Sequence, residues 1–483
     1  MANNIKLPQK GLKESEILNY LHEFKKNDIP YREGKVFAYV YMPDPEIEQI
    51  CKKAYGMYLS ENGLDPTAFP SLLKMERDVI SITANLLNGD NEVVGNFTSG
   101  GTESIILAVK TARDLFRKSH PGVRPCMILA ETAHAAFHKA AHYLDVDVCM
   151  LDVDHESFKM VPELVENAID QHTMLIVASA PSYAHGVIDP IESIGALAAK
   201  NDILFHVDAC VGGMYLPFLR CIGEEVVPFD FSVRGVTSIS CDLHKYGYAA
   251  KGASIILYKN KHLRSHQIFS CAAWSGYAVV NPTVTSSKTG GPIAGAWSTL
   301  HAIGVSGYER MVKMTTDATL KMVNFVDQHP HLSLLGKPDM NLIAFQSLDP
   351  SVSVFAISDK MSSRGWHIQV QFASVCSPAA IHLSINYANV SSMEALINDF
   401  EWAMQECQLQ SNSSEGLTLD AILPMIEYLD VDSFDSMAEM LGIGDAASMG
   451  SSMVLINELL NSLSPLQRNK MLTLFMNRAY ISE

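Results

Sequence analysis

Four short stretches of this chain hold the residue types that do chemistry, and they follow one another in a useful order. Thr98-Ser99-Gly100-Gly101-Thr102-Glu103-Ser104 sets hydroxyls and two glycines before the helical run Glu103–Arg117. Unpaired backbone N–H groups at a helix start, with the positive end of its dipole, make a cradle for a phosphate. A Gly-Gly pair at that place also serves as a plain turn. Ser240–Tyr248 carries Lys245 between His244 and Tyr246, with Gly247 after them. A lone lysine most often reaches solvent, but a partly buried amine in such a turn loses basicity and can form an imine with an aldehyde.

Asp208 follows the apolar Ile203-Leu204-Phe205 in the run His206-Val207-Asp208-Ala209-Cys210. A carboxylate there either caps the next segment or holds the proton on a pyridinium nitrogen, which turns the ring into an electron sink. In the second case Cys210 lies on the same side and touches the ring face. His134, flanked by Ala133 and Ala135, is either a polar residue at a helix start or an imidazole that stacks on a flat ring and exchanges protons with a substrate.

The elements that must position these residues alternate between about 94 and 310. Met127–Ala130, Val148–Val153, Met174–Ala180 and Ile203–Asp208 read as strands, separated by helical stretches such as Val161–Gln171 and Pro190–Asn201. This predicts an α/β fold with a mostly parallel sheet, helices on both faces, and a ligand beyond the carboxyl ends of the strands. Residues 1–70 form an N-terminal arm with a helix over Glu14–Asn27, and apolar spacing predicts a second helix over Ser71–Asn88. The large domain spans 71–310. A smaller α/β domain over 311–410 has strand candidates Leu342–Gln346, Val352–Ile357 and His367–Phe372 and helices over Tyr308–Gln328 and Ser392–Cys407. Ser411–Gly416 links it to a helical tail that ends at 483, whose methionines suit adaptable packing.

Composition narrows the class. With 483 residues, 48% hydrophobic and 18% charged, the chain buries sizeable cores. Its net charge of -17 argues against nucleic acid as a partner. Nine cysteines without a C-x-x-C pair fit reduced thiols rather than disulfides or zinc, so no metal site is expected. The polar start Met1–Lys6 and the lack of an apolar run of about 18 residues predict a cytoplasmic protein without a transmembrane anchor.

Together these motifs resemble the pyridoxal-phosphate-dependent decarboxylase family, of the aspartate-aminotransferase-like fold (fold type I), and within it the sphingosine-1-phosphate lyases. The likeness covers residues 34–310, through Asn96–Ser104, Ala133–Ala140, His185–Pro190, His206–Gly213, Phe229–Ile239 and His244–Gly252. It implies pyridoxal 5'-phosphate as cofactor, Lys245 as the Schiff-base lysine, Asp208 as the partner of the pyridine nitrogen and His134 as the stacking residue. Ser99, Gly100, Gly101, Thr102 and His244 would hold the cofactor phosphate. The resemblance also implies a homodimer, with Gly290 and Gly291 reaching the partner's cofactor. Tyr41 and Lys251 match two residues that bind a substrate phosphate in the lyases.

Two positions depart from the pattern. Asp65 stands where the lyases have histidine, which opposes a bound phosphate by about 1–4 kcal/mol at contact distance. Lys288-Thr289-Gly290-Gly291 replaces an arginine-proline-glycine-glycine run, exchanging a bidentate guanidinium for one ammonium. Two reactions therefore stand side by side. One is retro-aldol cleavage of a phosphorylated 2-amino-3-hydroxy amine to an aldehyde and phosphoethanolamine, favoured by Tyr41 and Lys251. The other is decarboxylation of an amino acid, favoured by Asp65 and Lys288. A third class, a cofactor-binding scaffold without turnover, would use the same motifs.

Overall fold

The computed structural model describes residues 6–410, 426, 429–431, 433, 434 and 453–480. Its spine is a seven-stranded sheet built from the aliphatic runs: β1 (Val94–Thr98), β2 (Cys126–Ala130), β3 (Asp147–Leu151), β4 (Thr173–Ser179), β5 (Leu204–Asp208), β6 (Ser238–Asp242) and β7 (Ser254–Tyr258). The spatial order is β1-β7-β6-β5-β4-β2-β3. Strands β3, β2, β4, β5 and β6 are parallel, and β7 is antiparallel to both β6 and β1. The sheet is thus the mostly parallel one expected, and β1 shares the direction of β6.

Every residue of β4, β6 and β7 is buried, as strands covered on both faces must be. Side chains alternate between two cores. Met127 and Leu129 pack with Ile105, Val109 and Phe116 of the helix Gly101–Ser119 and with Phe137. Ile128 and Ala130 pack on the opposite face with Val79, Ile191 and Ile194 from the helices Pro70–Leu86 and Ile191–Lys200. The expected helix over Val161–Gln171 is shorter, Pro162–Ala168.

A four-stranded antiparallel sheet forms a second core from Leu332–Leu334, Leu342–Ser347, Ala380–Ser384 and Gln369–Gln371. The run Val352–Ile357, expected as a strand, instead enters the helix Val354–Ser363, because the Ser353 side chain accepts the Phe355 N–H and caps a helix start. A short apolar run cannot tell buried strand from buried helix; Val352, Val354, Phe355 and Ile357 are all in the core. The helix expected from Tyr308 begins earlier, at Gly290, and continues to Gln328 through a kink at Gly304, where φ is 61°.

In the tail, helices Val454–Ser462 and Pro465–Ala479 dock on this second unit. Asn461 Oδ1 accepts the Ala373 N–H at 2.7 Å, and the Arg468 guanidinium lies 4.8 Å over the Phe372 ring. The expected linker Ser411–Gly416 lies outside the described residues. Among the described residues no helix is long and apolar enough to cross a membrane.

Candidate functional site

Because β1, β2, β4, β5 and β6 point the same way, their carboxyl ends share one edge of the sheet. The residues that follow them line a cavity of about 380 Å³ that includes Ser99, His134, Tyr183, Asp208, Asp242 and Lys245. Such an edge is where open α/β sheets bind ligands.

Strand β1 hands over at Ser99-Gly100 to the 19-residue helix that starts at Gly101. A Cβ at Gly101 would lie 2.8 Å from Asp242 Oδ1 and 2.9 Å from Cys210 Sγ, so only glycine lets the helix start come this close. At Gly100 the nearest atom would be His244 Cε1 at 3.9 Å, which leaves room beside the imidazole. Glu103 braces the turn: Ser99 donates its N–H at 2.6 Å and its hydroxyl at 2.7 Å to Oε2, and the Val284 N–H donates to Oε1 at 2.7 Å. Gly100, Gly101 and Thr102 then face the cavity with His244 opposite.

At the end of β5, Asp208 Oδ1 accepts the Cys210 N–H and the Ser240 hydroxyl, both at 3.1 Å. Cys210 lines the cavity with it, and burial pushes its thiol far above the ordinary range, so it stays protonated. His134 enters from beyond β2. Its Nδ1 accepts the Ala136 N–H at 3.1 Å, so it does cap a helix start, and the same ring lines the cavity. Both roles foreseen for His134 are compatible, with Nε2 left for a ligand.

Lys245 Nζ meets Asp242 Oδ2 at 2.9 Å. Burial alone would pull the ammonium down, but Asp242 outweighs it and holds the Lys245 pKa above its ordinary value. Burial pushes the Asp242 carboxyl up, and Lys245 followed by His244 brings it below the ordinary value. Oδ1 of Asp242 is buried without a hydrogen-bond partner among the described residues. His244 donates Nδ1–H to Ala253 O at 2.7 Å, and burial lowers its pKa against the pull of Asp242.

Tyr41 and Lys251 meet beside this cavity in a second, more apolar one of about 470 Å³. The Lys251 ammonium lies 5.2 Å over the Tyr41 ring and donates to Tyr39 O at 2.6 Å. Burial, and then the charge of Lys245, lower the Lys251 pKa to about 8. Tyr41 OH sits 3.0 Å from Ser384 Oγ, and its ring packs edge-on against Tyr246 at 4.9 Å.

The structure does not bring Asp65 or Lys288 into either cavity. Asp65 is exposed and caps its own turn, accepting from the Thr67 N–H at 2.8 Å and hydroxyl at 2.6 Å. Lys288 turns inward to Glu76 Oε1 at 2.5 Å, with both side chains mostly buried. Gly290 and Gly291 open the long helix against the Tyr58 carbonyl and the Tyr55 ring of the same chain. Sequence reasoning passed over Asp242, Tyr183 and Glu103. The rule that singled out Asp208, a polar residue at the carboxyl end of a strand, also marks Asp242, and Tyr183 follows β4 by four residues.

Residues 2–348 match the pyridoxal-dependent decarboxylase conserved domain. The chain belongs to that family. A sphingosine-1-phosphate lyase of Oryza sativa subsp. japonica is 40% identical over 403 residues, 82% of this chain and 73% of that protein. Sphingosine-1-phosphate lyase 1 of Rattus norvegicus is 37% identical over 81% of this chain and 67% of its own length. Among solved structures, a Burkholderia pseudomallei sphingosine-1-phosphate lyase superposes with a TM-score of 0.78 at 31% identity, over 83% of this chain and 92% of that one. A Lactobacillus brevis glutamate decarboxylase, 19% identical with a TM-score of 0.75 over 86% of this chain and 96% of its own, shares the fold.

This member of the pyridoxal-dependent decarboxylase family is a lyase-type enzyme that uses pyridoxal 5'-phosphate. Its residues fit that group: a side-chain-free helix start for a phosphate, a partly buried amine for an aldehyde, and a carboxylate lining the same cavity for a ring nitrogen. Residues 415–478 match a C-terminal putative HTH domain of pyridoxal-dependent enzymes. That segment holds nine acidic and three basic residues, a balance unsuited to a nucleic-acid surface.

Proposed function

We propose that this enzyme cleaves the C2–C3 bond of a phosphorylated 2-amino-3-hydroxy amine of sphingoid type, releasing an aldehyde and phosphoethanolamine. The observation that carries this reading is the pairing of Tyr41 with Lys251 beside the Lys245 cavity, a phenol and an ammonium ready for a substrate phosphate. The names of the Oryza and Rattus relatives support it.

The cofactor, when bound, supplies an electron sink for the bond that breaks. Lys245 would be its anchoring amine, Asp208 would hold its ring nitrogen, and Gly100, Gly101, Thr102 and His244 would receive its phosphate. His134, whose Nδ1 accepts the Ala136 N–H, lines the cavity and would keep its Nε2–H for the substrate oxygen. Asp242 keeps a proton on Lys245 at the cavity wall. The decarboxylase reading rested on Asp65 and Lys288, and each is committed elsewhere in its own chain.

The active unit is a homodimer in the cytoplasm. The helix Glu14–Phe24 buries none of its residues and exposes Ile17, Leu18, Leu21 and Phe24. A hairpin of Phe269–Cys271 and Val279–Asn281 exposes Trp274 and Tyr277, close in sequence to Gly290 and Gly291. A second copy covering both would bring the glycines to its cofactor.

The deciding experiment is mass spectrometry of products from phosphorylated sphingoid bases and from common amino acids. Aldehyde release from the former is expected; carbon dioxide loss from the latter alone would overturn the reading. Phosphoethanolamine should inhibit the enzyme, and Lys251→Ala should abolish that inhibition.

A further inference from the structure

Behind the cavity, β5 and β6 bring four polar residues into register, His206 opposite Ser238 and Asp208 opposite Ser240. The strand period of two puts all four on one face. They are buried, His206 and Ser240 completely. Buried polar groups are costly unless paired, and here each pairing has one direction.

A carboxylate only accepts, so the single proton of Ser240 goes to Asp208 Oδ1 at 3.1 Å. The Ser240 oxygen is then the acceptor for His206 Nε2, 3.1 Å away, which puts the ring proton on Nε2. In a neutral imidazole the other nitrogen is bare, so Nδ1 accepts from the Ser238 hydroxyl at 2.9 Å. Burial keeps the ring neutral by lowering its pKa to about 4, against the opposite pull of Asp208. Phe137, which packs edge-on at 5.9 Å, and the two serines add no charge.

We infer that His206 and Ser240 are positioning residues for Asp208: a one-way donor chain from Ser238 through His206 and Ser240 ends on Oδ1, fixes the orientation of the carboxylate and leaves Oδ2 for a cationic ring nitrogen. The bonds from Ser240 and from the Cys210 N–H both fall on Oδ1, and among the described residues none falls on Oδ2. Chains of this kind polarise along their length. The inference rests on the role given to Asp208 in the proposed function.

The test is a two-bond ¹⁵N–¹H correlation spectrum of the holoenzyme labelled in its histidine rings. His206 should appear as the neutral Nε2–H tautomer, unchanged from about pH 8 to about pH 5.5. An Nδ1–H tautomer, or titration near the ordinary histidine value, would overturn the inference on the unmodified protein. Ser240→Ala should release the ring from its single tautomer and raise the cofactor dissociation rate about tenfold, the worth of a hydrogen bond to a charged group. Ser240→Thr should restore both. An unchanged spectrum and rate in Ser240→Ala would also overturn it. A colourless protein, by contrast, would sink the cofactor reading while the His206 tautomer could still be read.

Discussion

Lys245 Nζ and Asp242 Oδ2 form a 2.9 Å ion pair in which the carboxylate is almost wholly buried and its second oxygen has no hydrogen-bond partner among the described residues. The Lys245 amine is therefore held as an ammonium by a neighbour three residues earlier, at the end of β6. Asp242→Asn should lower the Lys245 pKa and make the cofactor-free protein more reactive toward acylation near pH 8, read by competitive labelling and peptide mass. Equal labelling of variant and parent would show that Asp242 does not hold that proton.

Lys245 should carry the cofactor. Borohydride should bleach the yellow protein and leave a reduced adduct on the peptide that contains residue 245, and Lys245→Ala should be colourless after borohydride and washing. An adduct on another lysine would reassign the anchor.

With Lys251 in its proposed role, substrate binding should be sensitive to base. The Lys251 pKa is lowered to about 8 by burial and by Lys245, so its ammonium is present below that pH and lost above it. The kcat/KM for a phosphorylated substrate should fall as pH rises through about 8, a profile that reports the free enzyme. Lys251→Arg, with a guanidinium that stays charged, should remove that limb.

Lys288 should matter to folding rather than to binding. Its ammonium is paired inside the protein with Glu76, which also accepts the Phe97 N–H at 3.0 Å. Breaking a buried pair by removing one partner costs about 3–5 kcal/mol. Lys288→Ala should lower stability by that order in denaturant unfolding and leave the KM for a phosphorylated substrate within about twofold, the scatter of a residue that makes no substrate contact. A large KM change with unchanged stability would return Lys288 to the substrate.

Acid should unfold the protein within a definable window. Burial lowers His185, His206 and His382 from the ordinary histidine value to about 4. Between those values the unfolded chain binds protons that the folded chain refuses. The stability contributed by the neutral rings is therefore complete above about pH 6.5 and lost as pH falls toward 4, by about 3 kcal/mol apiece. Asp189, which burial raises to about 6, binds its proton more readily when folded and offsets part of this loss. Melting temperature measured from pH 7 to pH 4 should fall steeply, and a flat profile would contradict the burial of the three rings.

Much of the cavity was legible along the chain because the motifs that line it are local. The glycines of the cradle, the histidine-lysine pair and the carboxylate after an aliphatic strand each obey rules that span fewer than about ten residues, as does the alternation that announces a parallel sheet. Which partner each charge takes was not legible. Lys288 finds Glu76 across 212 positions of sequence, and His206 meets Ser240 across 34, because the sheet order sets strand beside strand. The run from Val352 to Ile357 was misread for a similar reason: its burial comes from a core gathered from distant segments, and one capping serine decided for helix. Spacing along the chain names the chemistry, whereas only the packed sheet determines which groups lie within about 3 Å of each other, the range at which protons and charges are exchanged.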